Sequence, residues 1–152
     1  MANVVTSAKL KIRRARRSDA EQIAQLSGEL GYPASAAQIT ARLRQLTPTS
    51  KHAVFVAEPT DAAGLIGWVH VSVTHLLESD TRAEVNGLIV AEGQRSAGAG
   101  AKLLQAAEEW ARKRDCQSMN VRSNVIRERA HKFYERQGYE HYKTQKAFRK
   151  QL

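Results

Sequence analysis

The stretch from Glu84 to Ala101, EVNGLIVAEGQRSAGAGA, holds the residue types with which a chain grips an anion. Leu88, Ile89 and Val90 are an apolar strand end, Glu92 to Arg95 a polar turn, and Ala97 to Ala101 a small-residue entry to a helix. Small side chains let a ligand approach the backbone, and the first N–H groups of a helix have no acceptor inside it and carry partial positive charge. That combination binds phosphate. Two phosphate loops are excluded by the residues themselves. A Walker A loop needs Lys and then Ser or Thr after its second glycine, whereas Ala99 and Gly100 follow Gly98; a dinucleotide fingerprint needs a third glycine where Leu103 stands. A plain tight strand-to-helix connection is the structural alternative at Gly98 and Gly100.

Several elements must position this segment. Lys9 to Arg14 alternates apolar and basic residues as a strand does. Ser18 with Glu21, and Ser35 with Gln38, have capping-box spacing. They predict one helix over about Asp19 to Leu30, with Ile23, Leu26 and Leu30 inward, and another carrying Ile39, Leu43 and Leu46. His52 to Glu58, Gly64 to Thr74 and Arg82 to Val90, rich in Val, Ile, Phe and Trp, predict three antiparallel strands. Helices over Gly98 to Arg114 and about Ile126 to Gln137 flank a short strand at Ser118 to Arg122, and Tyr139 to Phe148 is expected to supply the last one or two strands. The order contains one β-helix-β crossover. The expected fold is therefore α/β (α+β): a mixed, mostly antiparallel sheet of six to seven strands with helices on both faces.

A chain of 152 residues is the size of one domain, so residues 1–152 are expected to form one, with 1–8 a flexible tail. No basic start leads into a hydrophobic run and no eighteen apolar residues are consecutive, so neither a signal peptide nor a membrane span is expected. Cys116 is the only cysteine, which suits a reducing compartment, and the expected location is cytoplasmic. A net charge of +9 points to an anionic partner without choosing among nucleic acid, membrane and phosphorylated cofactor. No aromatic ladder accompanies the basic clusters, so nucleic acid is the less favoured partner.

The hexad Arg95-Ser96-Ala97-Gly98-Ala99-Gly100 fits the pattern Arg/Gln-x-x-Gly-x-Gly/Ala, and Asn124, Phe133-Tyr134 and Gly138-Tyr139 follow at fixed intervals. Over Glu84 to Tyr139 the chain resembles the GNAT family of N-acetyltransferases, and the element order extends the resemblance to nearly the whole chain. The resemblance implies acetyl-CoA as cosubstrate, no metal, and direct transfer of the acetyl group to a primary amine of a small molecule or peptide in a ternary complex. It implies that the backbone of Arg95, Ser96, Ala97, Gly98, Ala99, Gly100 and Ala101 holds the pyrophosphate. Leu88, Ile89 and Val90 would run beside the pantetheine arm, where a kink frees amides and one near Leu88 or Ile89 polarises the thioester carbonyl. Asn124 would bond the pantetheine amides, or act as the N-cap of the next helix.

Two further roles come from the same resemblance. Glu84, fourteen residues before Gly98, stands where one branch of the family keeps its general base, and an alkylammonium must lose a proton before it attacks. Its alternative is a solvent-facing strand carboxylate, with water as the base. Tyr134 stands where the family keeps the acid that protonates the departing thiolate; its alternative is core packing beside Phe133. Cys116 has no evident His and Asp partners for covalent catalysis, and His131 is taken as a surface or packing residue. The substrate wall would come from Gly31 to Pro48, Leu76 to Thr81 and the C-terminal segment, with Glu29, Glu78 and Asp80 as candidate attractors of a cation. Dimerisation, frequent in the family, would draw on Trp68, Trp110 or the C-terminal strands. The rival functions are a non-catalytic acetyl-CoA sensor and a basic nucleic-acid module.

Overall fold

The computed structural model describes residues 9–29 and 31–152, so the expected tail 1–8 and the stripe residue Leu30 lie outside the described residues. The chain divides into two compact units, 1–121 and 122–152. In the first, β1 (Leu10–Arg14), β2 (His52–Pro59), β3 (Gly67–Leu76), β4 (Ser79–Val90) and β5 (Met119–Val121) form one sheet in chain order. The first four strands pair antiparallel, and β5 runs parallel to β4. Parallel neighbours need a crossover. It is α3 (Ala99–Arg112), while α1 (Ala20–Glu29) and α2 (Ala36–Leu46) lie between β1 and β2.

The two sheet faces are sorted by strand alternation. One packs on α3, whose Ala99, Leu103, Leu104, Ala107, Trp110 and Ala111 are buried at helical spacing. At the seam a Cβ on Gly67 would stand 2.7 Å from the carbonyl oxygen of Ile89 and 3.1 Å from Leu103 Cδ1, so only glycine fits there. The opposite face gathers Ile23, Leu26, Ile39, Leu43, Val56 and Ile89 into one core with α1 and α2, and Trp68 packs against it. Trp110, considered above for an interface, is a core residue with 5% of its surface exposed and the Arg114 guanidinium 4.1 Å from its ring centroid.

Entry to α1 differs from the expected Ser18–Glu21 box. A 3-10 turn at Arg17–Asp19 precedes the helix, and the Asp19 carboxylate accepts the Arg16 amide at 2.7 Å while receiving both Arg13 Nη1 and Nη2 at 2.8 and 2.9 Å. The two-pronged guanidinium pairing wins because it also neutralises a buried carboxylate. The Ser35–Gln38 box forms as expected, with reciprocal bonds of 2.9 and 3.1 Å.

The second unit contains α4 (Glu128–Arg136), which ends at Gly138 in the left-handed conformation, φ +90°. The strands expected over Tyr139 to Phe148 do not form: residues 139–152 carry no strand, and 140–152 are all exposed. The sheet accordingly has five strands, not six or seven. The physical reason lies in the pattern, since the apolar residues Tyr139, Tyr142, Ala147 and Phe148 do not alternate and the intervening positions are mostly charged or polar.

Candidate active site

The glycine-rich turn joins β4 to the start of α3. A 3-10 segment, Glu92–Ala97, carries Arg95 in its last turn and delivers the chain to Gly98, whose φ of +78° is the left-handed region glycine enters without steric cost. Gly98 is also the N-cap of α3; it lacks a side chain to cap the first turn, and its carbonyl accepts Lys102 N at 3.1 Å. Helix geometry leaves the amides of Ala99, Gly100 and Ala101 without an acceptor in the helix. No acidic residue occupies that first turn, so nothing in it competes with an anion for the positive end of the dipole. Ala99 is fully buried and pins the helix start to the sheet.

Beside this turn, β4 beyond Val85 is paired on one side only. Its pairing with β5 ends at Val85 opposite Val121, whereas its pairing with β3 continues to Val90 opposite Gly67. Ala91 N donates to Ile66 O at 2.8 Å across β3. Strand alternation therefore turns the Ile89 amide toward β3 and the amides of Leu88 and Val90 toward the edge that β5 has left. The kink expected at Leu88 to Val90 falls two residues earlier. Val85 pairs with Val71 and Gly87 with His70, so Asn86 is an extra residue, a β-bulge. That residue shifts the side-chain parity and puts Glu84 on the same face as Ile89, the face of α1 and α2.

Glu84 is not a solvent-facing carboxylate, because only 9% of its surface is exposed. It pairs with Ser72 on β3 and Asn120 on β5. Asn86 Nδ2 donates to Ser72 Oγ at 2.8 Å and, more weakly, to Glu84 O at 3.3 Å. His52 Nδ1 and His70 Nε2 are 3.0 Å apart on the same face. Burial, with a smaller contribution from His52, pushes His70 down to about 4. These histidines and Ser72 were not singled out from sequence. The alternation Trp68-Val-His70-Val-Ser72 carries a signal, but only strand register shows that they share a sheet face with Glu84.

Tyr134 and Asn124 belong to the second unit. Tyr134 is half-buried on α4, edge-on to Phe133 at 5.2 Å and to Tyr139 at 5.8 Å between centroids. Burial pushes its phenol up, and Arg127 pulls it part of the way back. Asn124 does not cap α4, whose N-cap is Arg127. Its Oδ1 accepts Ile126 N at 3.2 Å, and its carbonyl receives Arg127 N at 3.0 Å and His131 Nε2 at 2.8 Å. His131 is thus tied to the turn before α4. Burial pushes the Cys116 thiol up, the wrong direction for a nucleophile.

Residues 19–139 match the model of a family described as acetyltransferase (GNAT). The chain belongs to the GNAT family. Membership makes it an acetyltransferase. No curated protein matches it in sequence. Among solved structures, this GNAT chain is similar to the aminoglycoside N-acetyltransferase AAC(6')-Iy in complex with CoA, at 18% identity and TM-score 0.82 over 94% of this chain and 95% of that one. It is also similar to the aminoglycoside antibiotic 6'-N-acetyltransferase AAC(6')-Ih from Acinetobacter baumannii, at 18% identity and TM-score 0.80 over 94% and 99%. A third is glucosamine-6-phosphate N-acetyltransferase from Arabidopsis thaliana, at 18% identity and TM-score 0.78 over 92% and 97%. At these identities the likeness is one of fold, and it is a GNAT fold. Among the described residues no helix is long and apolar enough to cross a membrane.

Proposed function

We propose that this GNAT enzyme transfers the acetyl group of acetyl-CoA directly to a primary amine of a small molecule or peptide. The observation that carries the reading is the start of α3, uncapped and free of acidic residues behind a left-handed glycine, which suits a diphosphate held by main-chain N–H groups. The amides of Gly98 to Ala101 and the basic Arg95 hold the pyrophosphate, with Ser96 and Ala97 contributing backbone to the same turn. Acetyl-CoA supplies an activated thioester. The edge of β4 beyond Val85 suits a pantetheine arm lying alongside Leu88, Ile89 and Val90, and the Leu88 amide polarises the thioester carbonyl. Asn124 bonds the amides of that arm.

Glu84 takes the proton of the acceptor ammonium on its carboxylate, a task that suits a buried carboxylate better than an exposed one. Tyr134 gives its phenolic proton to the departing thiolate. Its raised pKa keeps that proton in place at neutral pH. Aminoglycosides and glucosamine 6-phosphate, named for the structural neighbours, head the panel of candidate amines. A single cysteine suits the cytoplasm, and a homodimer is the expected assembly.

The deciding experiment has two arms. Acetyl-CoA should raise the melting temperature where ATP and NAD do not, and free thiol should appear when acetyl-CoA is mixed with a suitable member of an amine panel. Stabilisation by all three nucleotides alike, or a silent panel, contradicts the reading.

A further inference from the structure

The sheet face that carries Glu84 bears a line of polar groups that acetyl transfer, as described so far, leaves unused. His52, Ser72, Glu84 and Asn120 are successive Cα partners across β2, β3, β4 and β5, and partners on neighbouring strands project to the same side. The adjoining positions on this face are Val54, Val56, Trp68 and Ile89, which join the apolar core. Polar side chains at the margin of such a core are costly unless they bond to one another or to water.

Two bonds order the line. Asn86 Nδ2 donates to Ser72 Oγ at 2.8 Å. His52 Nδ1 lies 3.0 Å from His70 Nε2, with the rings stacked at 5.3 Å between centroids. An N···N contact of that length needs one ring to donate and the other to accept, so the pair holds one shared proton with a direction. His70 is two residues from Ser72 and hence a diagonal neighbour of Glu84. Diagonal positions of a regular ladder lie about 7 to 8 Å apart at Cα; here the Asn86 bulge stands between the two positions, and a water bridges polar groups too far apart to bond directly. At the other end His52 lines a cavity of about 240 Å³ with Arg14, Leu43 and Thr47, room for several waters.

We propose that His70 and His52 relay the acceptor's proton from Glu84 to the water of this cavity. The Glu84 carboxyl, having taken a proton from the ammonium, releases it to a bridging water. That water delivers a proton to His70 Nδ1, the His70 Nε2 proton crosses to His52 Nδ1, and His52 Nε2 yields its own proton to the cavity. Each ring gains one proton and loses one, and Glu84 returns as a carboxylate. The rings revert by exchanging tautomers between turnovers. Burial keeps His70 uncharged at neutral pH, which suits a ring that passes protons without storing charge. On β4 Arg82, the partner of Thr74, precedes Glu84 by two residues and shares this face; Trp68, Ser72, Asn86 and Asn120 are uncharged. The relay rests on Glu84 being the base, and both histidines are positioning residues that act through it.

The test uses the full-length enzyme with acetyl-CoA and with glucosamine 6-phosphate, an aminoglycoside and tyramine as probe amines. His70→Ala should lower kcat about tenfold or more while leaving KM for acetyl-CoA within twofold. Added imidazole should restore the rate to within about threefold, which no purely structural loss would allow. His52→Gln should lower kcat in the same direction, and the solvent deuterium isotope effect on kcat should rise in both variants. Glu84→Gln separates the two ideas. If it abolishes turnover while His70→Ala leaves kcat and the isotope effect unchanged, the relay is overturned and the base stands. If Glu84→Gln is silent, or no probe amine turns over, both fall. A melting temperature kept within a few degrees by His70→Ala, or a similar loss of rate in a His70→Gln variant that keeps it, shows that the loss is not unfolding.

Discussion

A single added carboxylate at the start of α3 should separate folding from cosubstrate binding. Ala101 is the third residue of α3, half-buried, in a first turn that has no acid. Ala101→Asp places a negative charge where a helix welcomes one, worth about 0.3 to 1 kcal/mol of stability, offset by a propensity loss of roughly 0.5 kcal/mol. The melting temperature should therefore hardly move. A diphosphate bound to the same turn would meet that charge at about 7 Å, from a rise of about 1.5 Å per residue and a contact of about 3 Å. Each pair of unit charges then costs about 0.6 kcal/mol in a water-like medium and about 2.4 kcal/mol at an effective dielectric of about 20. Two phosphate charges give about 1 to 5 kcal/mol, or roughly tenfold to a few thousandfold in Kd. Calorimetric titration with acetyl-CoA reads this directly. Gln105→Glu, exposed and a turn further on, is the control and should cost less than about threefold. A folded Ala101→Asp variant that binds acetyl-CoA as tightly as the parent would refute the reasoning.

Tyr134→Phe should lower kcat about a hundredfold with KM for acetyl-CoA little changed, and the alkaline limb of the parent's pH profile should lie above the ordinary tyrosine range, because burial raises the phenol. Asp19→Asn should destabilise the fold by about 3 kcal/mol, since it breaks an ion pair whose side chains are 11% and 5% exposed; thermal melts at neutral pH measure it. Burial pushes the Asp19 carboxyl up, but Arg13 and the Arg16 amide outweigh it and hold the group below its ordinary value. Its stabilisation is therefore complete above the ordinary aspartate range and lost as pH falls through the depressed value, so parent and Asp19→Asn melts should converge in acid. Gly67→Ala should cost about 1 to 3 kcal/mol, seen in urea titration, because the new methyl meets backbone and has no room to turn away.

Much of this architecture was legible in the residues. The alternating and helical stripes marked all five strands and four helices of the described chain, with ends displaced by a few residues, because burial on one face is what those stripes encode. The strand-to-helix turn at Gly98 was legible because a glycine followed by a run of small residues marks such a turn, and Gly98 does take the left-handed conformation there. What could not be read depends on contacts between distant segments. The Asp19 cap required Arg13 to arrive from β1. The bulge at Asn86 is a property of pairing with β3, and it alone decides that Glu84 faces α1 and α2. The placement of His52, His70 and Ser72 on the face of Glu84 follows from that register. The strands expected after Tyr139 failed because the alternation that buries one face of a strand is missing there.

The central claim is that backbone amides at the head of α3 grip the diphosphate of acetyl-CoA. Amide-resolved NMR titration of the labelled protein addresses it most directly. The account predicts that acetyl-CoA moves the Gly98, Ala99, Gly100 and Ala101 N–H resonances strongly downfield and protects them from exchange, while the Ile89 amide, already turned toward β3, moves least among its neighbours. Saturating acetyl-CoA that leaves those four resonances where they were would contradict it.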